Sequence, residues 1–288
     1  MNVGVFLPQD NDEHAQALLA LATGIYAGDE HPVTVHQLNH TRDDGGYVDC
    51  DVAVVFGVGK PSVPASFPRG RVIDVHQSKG REVLVLEKGF IRRSRYYMAG
   101  WNGINGAADF GVRLGDALSS DRWDALDVPL KPLEAPDEIR RILLVGQVPW
   151  DASLAGVDHV GWLKQTHAQA VGRRLEVRFR PHPLAPKAAY GDLQHIAVTG
   201  TSLDEDLAWA DQVVTWNSNT AVDAHIAGKQ VAVLGRYSMA EAVCGRRLGQ
   251  PSDTRFMRAA WTRWISHTQW TCAEMREGLP WEQLIRSR

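Results

Sequence analysis

The chain has 288 residues, 44% of them hydrophobic and 23% charged, with a formal net charge of -3. That is enough for two modest α/β domains, and the balance excludes a disordered polymer, while no apolar run is long enough to span a bilayer. The charge as a whole advertises no nucleic-acid affinity, so local clusters decide that question.

Residues 3–7 form a short β-branched and aromatic run, followed by a polar turn and an Ala/Leu-rich stretch over 14–26, which predicts strand, loop and helix. No basic region with a long apolar core precedes them, so a cytoplasmic protein is expected. Asp10 and Asp12 follow the first strand as candidate general bases. Further runs at 33–38, 52–56, 72–75 and 83–86 predict strands of a buried parallel sheet. Glu87 ends the last of these. After it come Arg92, Arg93 and Arg95, then Tyr96, Tyr97, Trp101 and Asn102: either a solvated loop over core aromatics, or arginines for phosphates and rings for bases.

Residues 119–137, with Pro129, Pro132 and Pro136, fit neither period and predict the interdomain linker. Beyond it, strands are predicted at 141–145, 175–180, 196–198, 212–216 and 230–234, with helices at 160–171, 203–209 and 219–227. This alternation implies a doubly wound parallel sheet that binds ligands at the carboxyl ends of its strands. A tryptophan-rich segment over 255–278 follows and reads as one long or two short amphipathic helices. The expected division is therefore 1–128, 129–254 and 255–288. Cys50, Cys244 and Cys272 have no metal-ligand or disulfide spacing and read as structural thiols.

Three strand ends carry the candidate chemistry. Ser218, Asn219 and Thr220 open a helix at a strand's carboxyl end, where they either cap it or help its N-terminus receive a phosphate. Asp223, a turn further on, faces solvent or accepts hydrogen bonds from ribose or sugar hydroxyls. Arg180 and His182, held by Pro181 and Pro183, suit a phosphate grip and a proton or hydrogen-bond donor. Gln147 could read a base or sugar, and Asp151 is a carboxylate for the reacting carbon or the centre of an Asx turn. Glycine-rich dinucleotide loops, P-loops, nucleophile elbows and metal-spaced His/Cys sets are absent from the sequence.

Gly146-Gln147…Asp151, Arg180-Pro181-His182-Pro183, and Trp216 through Asp223 to Gly228-Lys229-Gln230-Val231 resemble the motifs of the capsule polysaccharide biosynthesis family of GT-B glycosyltransferases. They span roughly a third of the chain, and Asp223 stands where that family commonly has Glu. The resemblance implies two Rossmann-like domains facing a cleft, with a C-terminal helix packing back across them. It also implies a nucleotide-sugar donor, with UDP-sugar first, and no required metal. On that reading Asp151, Asp10 or Glu87 deprotonates the acceptor or stabilises the oxocarbenium charge, and His182 neutralises the leaving diphosphate.

Glu87-Lys88-Gly89-Phe90, Trp101-Asn102-Gly103 and the tail from Trp264 to Trp281 are similar to small bacteriophage proteins found beside DNA-modification genes. That likeness implies 5-hydroxymethylcytosine or another hydroxymethylpyrimidine in DNA as acceptor, with the base everted from the duplex. A surface polysaccharide acceptor and a non-catalytic nucleotide or sugar-phosphate binding protein are the alternatives.

Overall fold

A computed structural model describes residues 1–9, 11–29, 31–59, 68–154, 156–196 and 202–288. The chain divides into two compact units: a first of Met1–Leu126 with Arg263–Arg288, and a second of Asp127–Thr262. In chain order the elements up to the first crossing are β1 (Val3–Leu7), α1 (Asp12–Asp29), β2 (Val33–Gln37), β3 (Val52–Phe56), α2 (Pro68–Ser78), β4 (Val83–Lys88), β5 (Tyr96–Trp101) and α3 (Asp121–Leu126). Then follow β6 (Arg141–Val145), α4 (His159–Gly172), β7 (Glu176–Arg180), α5 (Leu203–Trp209), β8 (Gln212–Thr215), α6 (Thr220–Ile226) and β9 (Gln230–Val233). The chain ends with α7 (Arg255–Ser266), β10 (Gln269–Thr271), α8 (Cys272–Arg276) and α9 (Leu279–Arg286). No helix among the described residues is long and apolar enough to cross a membrane.

The first unit is built on a six-stranded sheet of order β10-β5-β4-β3-β1-β2. Strands β1 to β4 are parallel, and β5 turns back antiparallel to β4. Every residue of β1 and β3 is buried, which is why these strands are unbroken apolar runs. Helix α1 covers them with Leu18, Leu21, Ala22 and Ile25, the spacing of one helical face. Burial of a side chain such as Leu18 contributes about 1.5–3 kcal/mol. Met275, Trp281 and Leu284 lie in the same core, so the C-terminal segment completes this unit. Gly24 lets α1 approach α8, because a Cβ there would lie 2.0 Å from Met275 O.

The second unit has a four-stranded, all-parallel sheet of order β7-β6-β8-β9. Its core joins Ile142, Leu144, Phe179, Val214 and Ala232 from the strands to Leu163 and Ala170 of α4. Two α/β units with alternating strands and helices are the architecture the sequence implies.

Several local expectations change. Residues 72–75 belong to α2, not to a strand: Pro68 opens the helix, and Val72 and His76 are buried one turn apart. Residues 96–101 form β5 rather than a loop, the expected linker contains α3, and of the one long or two short helices expected over 255–278 the chain forms two, α7 and α8, with β10 between them. Of the strand expected at 196–198, Ile196 is a bend and the rest lies outside the described residues.

Candidate functional site

In the second sheet, the chain runs from β6 to β7 on one side and then crosses to β8 on the other. The switch point therefore lies between β6 and β8, where open α/β sheets leave a crevice at the carboxyl edge. Gln147 follows β6 and Asn217 follows β8, and their side chains meet there. Gln147 Nε2 donates to Asn217 Oδ1 at 2.8 Å, and Asn217 N–H donates to Gln147 Oε1 at 3.1 Å. Both residues are buried.

The pair extends to all four strand ends. Asn217 Nδ2 donates to Ser153 O at 2.9 Å and to Arg236 O, after β9, at 3.0 Å. On the other side, Tyr190 OH donates to Gln147 O at 2.9 Å and accepts the His182 N–H, after β7, at 3.0 Å. Gly146 makes room for this, since a Cβ there would press on the Tyr190 and Phe179 rings at 3.0 and 3.1 Å. His182 Nδ1 accepts the Leu184 N–H at 3.1 Å, which places the proton of the neutral ring on Nε2.

The Gln147 N–H donates to His159 Nε2 at 2.9 Å. His159 stacks on Trp162 at 5.3 Å, and Trp162 meets Trp216 edge-on. Burial pushes the His159 imidazole down to about 4 against the opposing pull of Asp158, so the ring stays neutral and keeps its acceptor nitrogen. Among the described residues its buried Nδ1 has no hydrogen-bond partner.

Helix α6 begins at Thr220, and Asn219 makes no side-chain cap. Ser218 Oγ instead accepts the Thr220 N–H at 3.2 Å and meets Thr220 Oγ1 at 3.2 Å. Asp223 lies in the first turn of this helix. Arg180 pairs with Asp206, whose side chain is fully buried. Asp151 centres an Asx turn, its Oδ1 accepting the Ser153 N–H at 2.8 Å. Arg236 and Tyr237 are exposed beside Asn217, with Tyr237 in the left-handed region at φ 68° and its N–H donating to Glu241 Oε2 at 2.9 Å.

In this unit Gln147, His182 and Ser218 thus share one edge, as do Asp151, Arg180, Asn219, Thr220 and Asp223. In the first unit the expected residues do not gather. Exposed Arg92, Arg93 and Arg95 sit in the turn after β4, at the carboxyl edge, near Glu87. Trp101 and Asn102 lie at the opposite end of β5. Trp101 is buried against Trp281, and Asn102 Oδ1 accepts the Val83 N–H at 2.9 Å, so both hold the fold. Asp10 lies outside the described residues. Among the described residues no group of three His, Cys, Asp or Glu side chains is placed to hold a metal ion.

Neither His159 nor Tyr190 stands out in the sequence, and Asn217 reads there only as one of several caps. Their roles depend on contacts between strand ends.

These features define an α/β protein built of two Rossmann-like units. Among solved structures, the β-Kdo 2,7 transferase of Thermosulfurimonas dismutans KpsC is similar with a TM-score of 0.54 at 15% identity, over 98% of this chain and 100% of that one. The β-Kdo 2,4 transferase of the same KpsC is similar with a TM-score of 0.54 at 17% identity, over 90% of each chain. At such identity the likeness establishes the fold. No family model matches the sequence, and no curated protein matches it.

Proposed function

We propose that the protein is a glycosyltransferase that takes a sugar from a nucleotide-sugar donor, UDP-sugar first, and moves it to a hydroxyl acceptor. The observation that carries this reading is the Gln147–Asn217 pair, which ties four strand ends together at the switch point of the second unit. The donor binds at that edge. Ser218, Asn219 and Thr220 at the start of α6, with the His182 Nε2–H, receive the diphosphate, and Arg180 contributes positive charge while anchored to Asp206. Asp223 accepts hydrogen bonds from sugar or ribose hydroxyls. Gln147, Arg236 and Tyr237 flank the nucleoside, Tyr237 offering an exposed ring for a base. Asp151 and Glu87 are the carboxylates for the reacting centre, and transfer proceeds without a metal. The fold shared with two Kdo transferases supports sugar transfer as the chemistry.

For the acceptor we favour a hydroxymethylpyrimidine in DNA, on the exposed Arg92, Arg93 and Arg95 at a sheet edge. A panel of uridine, cytidine, guanosine and thymidine diphosphate or monophosphate sugars, each labelled in the sugar, tests this with three acceptors: duplex DNA containing 5-hydroxymethylcytosine, the unmodified duplex and a surface oligosaccharide. Label on the hydroxymethylated duplex alone is the expected result. Label only on the oligosaccharide moves the acceptor to a glycan. Donor binding without transfer to any acceptor leaves a non-catalytic binding protein. DNA affinity should also weaken with salt, and neutralising each arginine that touches a phosphate should lower the slope by about 0.9.

A further inference from the structure

The first unit has its own switch point, because β1 lies between β2 and β3 and the chain leaves it in both directions. At the carboxyl edge there, a cavity of about 290 Å³ opens between the loop after β1, the end of β3 and the start of α2. Its walls include Asn11, Leu38, Phe56, Pro68 and Arg69, and His14 projects into it from the first turn of α1. A space of this size takes one ring with its substituents.

His14 is held in a fixed pose. Its ring stacks face to face on Phe56, with centroids 3.7 Å apart and planes within 10°, and Asn11 Oδ1 accepts its backbone N–H at 3.0 Å. Among the described residues neither ring nitrogen makes a hydrogen bond. The ring is kept neutral by partial burial first, then by the positive charges of Lys88 and Arg69, against the pull of Glu13.

The neighbouring carboxylates are committed elsewhere. Glu13 is ion-paired with Lys88 and accepts the Tyr97 hydroxyl at 3.0 Å, and these bonds hold its carboxyl below the usual range. Glu87 Oε1 accepts the Lys88 N–H at 2.8 Å. Its Oε2 and Arg69 Nη1 each lie 3.0 Å from where a Cβ on Gly57 would stand, and Glu87 acts electrostatically on Arg69. Arg69 Nη1 also donates to Phe56 O at 2.7 Å. The Glu13 anion, stabilised in this way, is a poor proton acceptor.

We infer that this cavity is the acceptor pocket and that His14 is the catalytic base that takes the proton from the acceptor hydroxyl. The inference rests on the sugar-transfer reading above. The acceptor oxygen forms a bond to the anomeric carbon of the nucleotide sugar as that carbon's bond to the phosphate oxygen breaks. The electron pair leaves with the nucleotide, and the proton held by His14 passes to solvent. One ring bearing a hydroxyl is the shared chemistry, whether it belongs to a hydroxymethylpyrimidine or a sugar.

The test uses the full chain with the donor and acceptor that give wild-type transfer. His14→Phe keeps the stack on Phe56 and removes both nitrogens; it should lower kcat for transfer roughly 10²–10⁴-fold while donor binding stays within about twofold. His14→Ala should regain part of its rate with added imidazole, and His14→Phe should not. The wild-type kcat/KM should fall on an acid limb below 6.5, because protonation removes the acceptor nitrogen, and His14→Phe should lack that limb. Glu13, Glu87, Lys88, Arg69 and His40 also border this region, and an acid limb that persists in His14→Phe overturns the assignment. So does transfer by folded His14→Phe at the wild-type rate. If the wild type itself moves no sugar to any acceptor, the reading of the function has failed instead, and this inference with it.

Discussion

Gln147 and Asn217 close a ring of two hydrogen bonds across the carboxyl ends of β6 and β8, the one place in the second sheet where the chain reverses its winding. The ring makes the spacing of the candidate donor loops a property of two side chains. In Gln147→Leu the Asn217 N–H and Oδ1 lose these partners in a buried setting, at about 1–3 kcal/mol each. Denaturant unfolding should show a loss of about 2–6 kcal/mol, and UDP affinity should fall with it, because the β6 and β8 loops are no longer in register. Unchanged unfolding and UDP binding would show the pair to be incidental.

Arg180 and Asp206 test what holds the β7 end. The Asp206 side chain is fully buried, so Arg180→Met leaves its charge without this cation and should cost about 3–5 kcal/mol. Arg180→Met combined with Asp206→Leu should recover most of that stability, since both charges go together. If Arg180 also contacts the donor diphosphate, the double variant will fold well and still bind UDP weakly. Full UDP affinity in a stable double variant confines Arg180 to the fold.

Much of this edge was legible in the sequence because parallel strands put all their carboxyl ends on one side. Once residues 141–145, 175–180 and 212–216 read as strands, Gln147, His182 and Ser218 had to share a rim. What escaped was whatever depends on distant partners. Val72, Ile73 and Val75 look like a strand until Pro68 and the burial of His76 one turn later make them a helix. Trp101 and Asn102 lie close in sequence to the arginine turn, yet the antiparallel return of β5 carries them to the far end of the sheet. His14 is an unremarkable helix residue until Phe56 is found beneath it.

Buried histidines make the second unit sensitive to acid. Burial pushes the imidazole of His159 down to about 4, and burial together with Arg258 pushes that of His225 down to about 3. The folded unit keeps both neutral, whereas the unfolded chain takes up protons below its ordinary value of 6.5. Their contribution is complete above about pH 6.5 and is lost as the pH falls, at up to about 1.4 kcal/mol per pH unit for each histidine. His159 stops contributing to the slope near pH 4 and His225 near pH 3. Unfolding curves between pH 7 and 5 should show this decline, with a shallower one in His159→Gln. Equal slopes in the two proteins would mean that His159 is not held neutral.

Gln269 couples the C-terminal return to the arginine turn. Its fully buried side chain accepts the Phe90 N–H at 2.8 Å and the Ile91 N–H at 3.0 Å, and donates to Ile91 O at 3.2 Å. Its backbone oxygen accepts from Arg122 Nη2 at 2.7 Å. Phe90 and Ile91 lead directly into Arg92, whose φ of 50° requires a well-anchored turn. Gln269→Leu strands two amides and a carbonyl in an apolar setting, so the first unit should lose about 3 kcal/mol or more. The loss should be local as well as global: amide exchange at Phe90 and Ile91 should accelerate more than exchange in β1 or β3, whose ladders Gln269 does not touch. If the acceptor is DNA, the loosened turn should also weaken binding without changing the salt slope, because the three arginines keep their charge. Amides that stay protected at 90 and 91 in this variant would show that the turn holds its shape without the C-terminal segment.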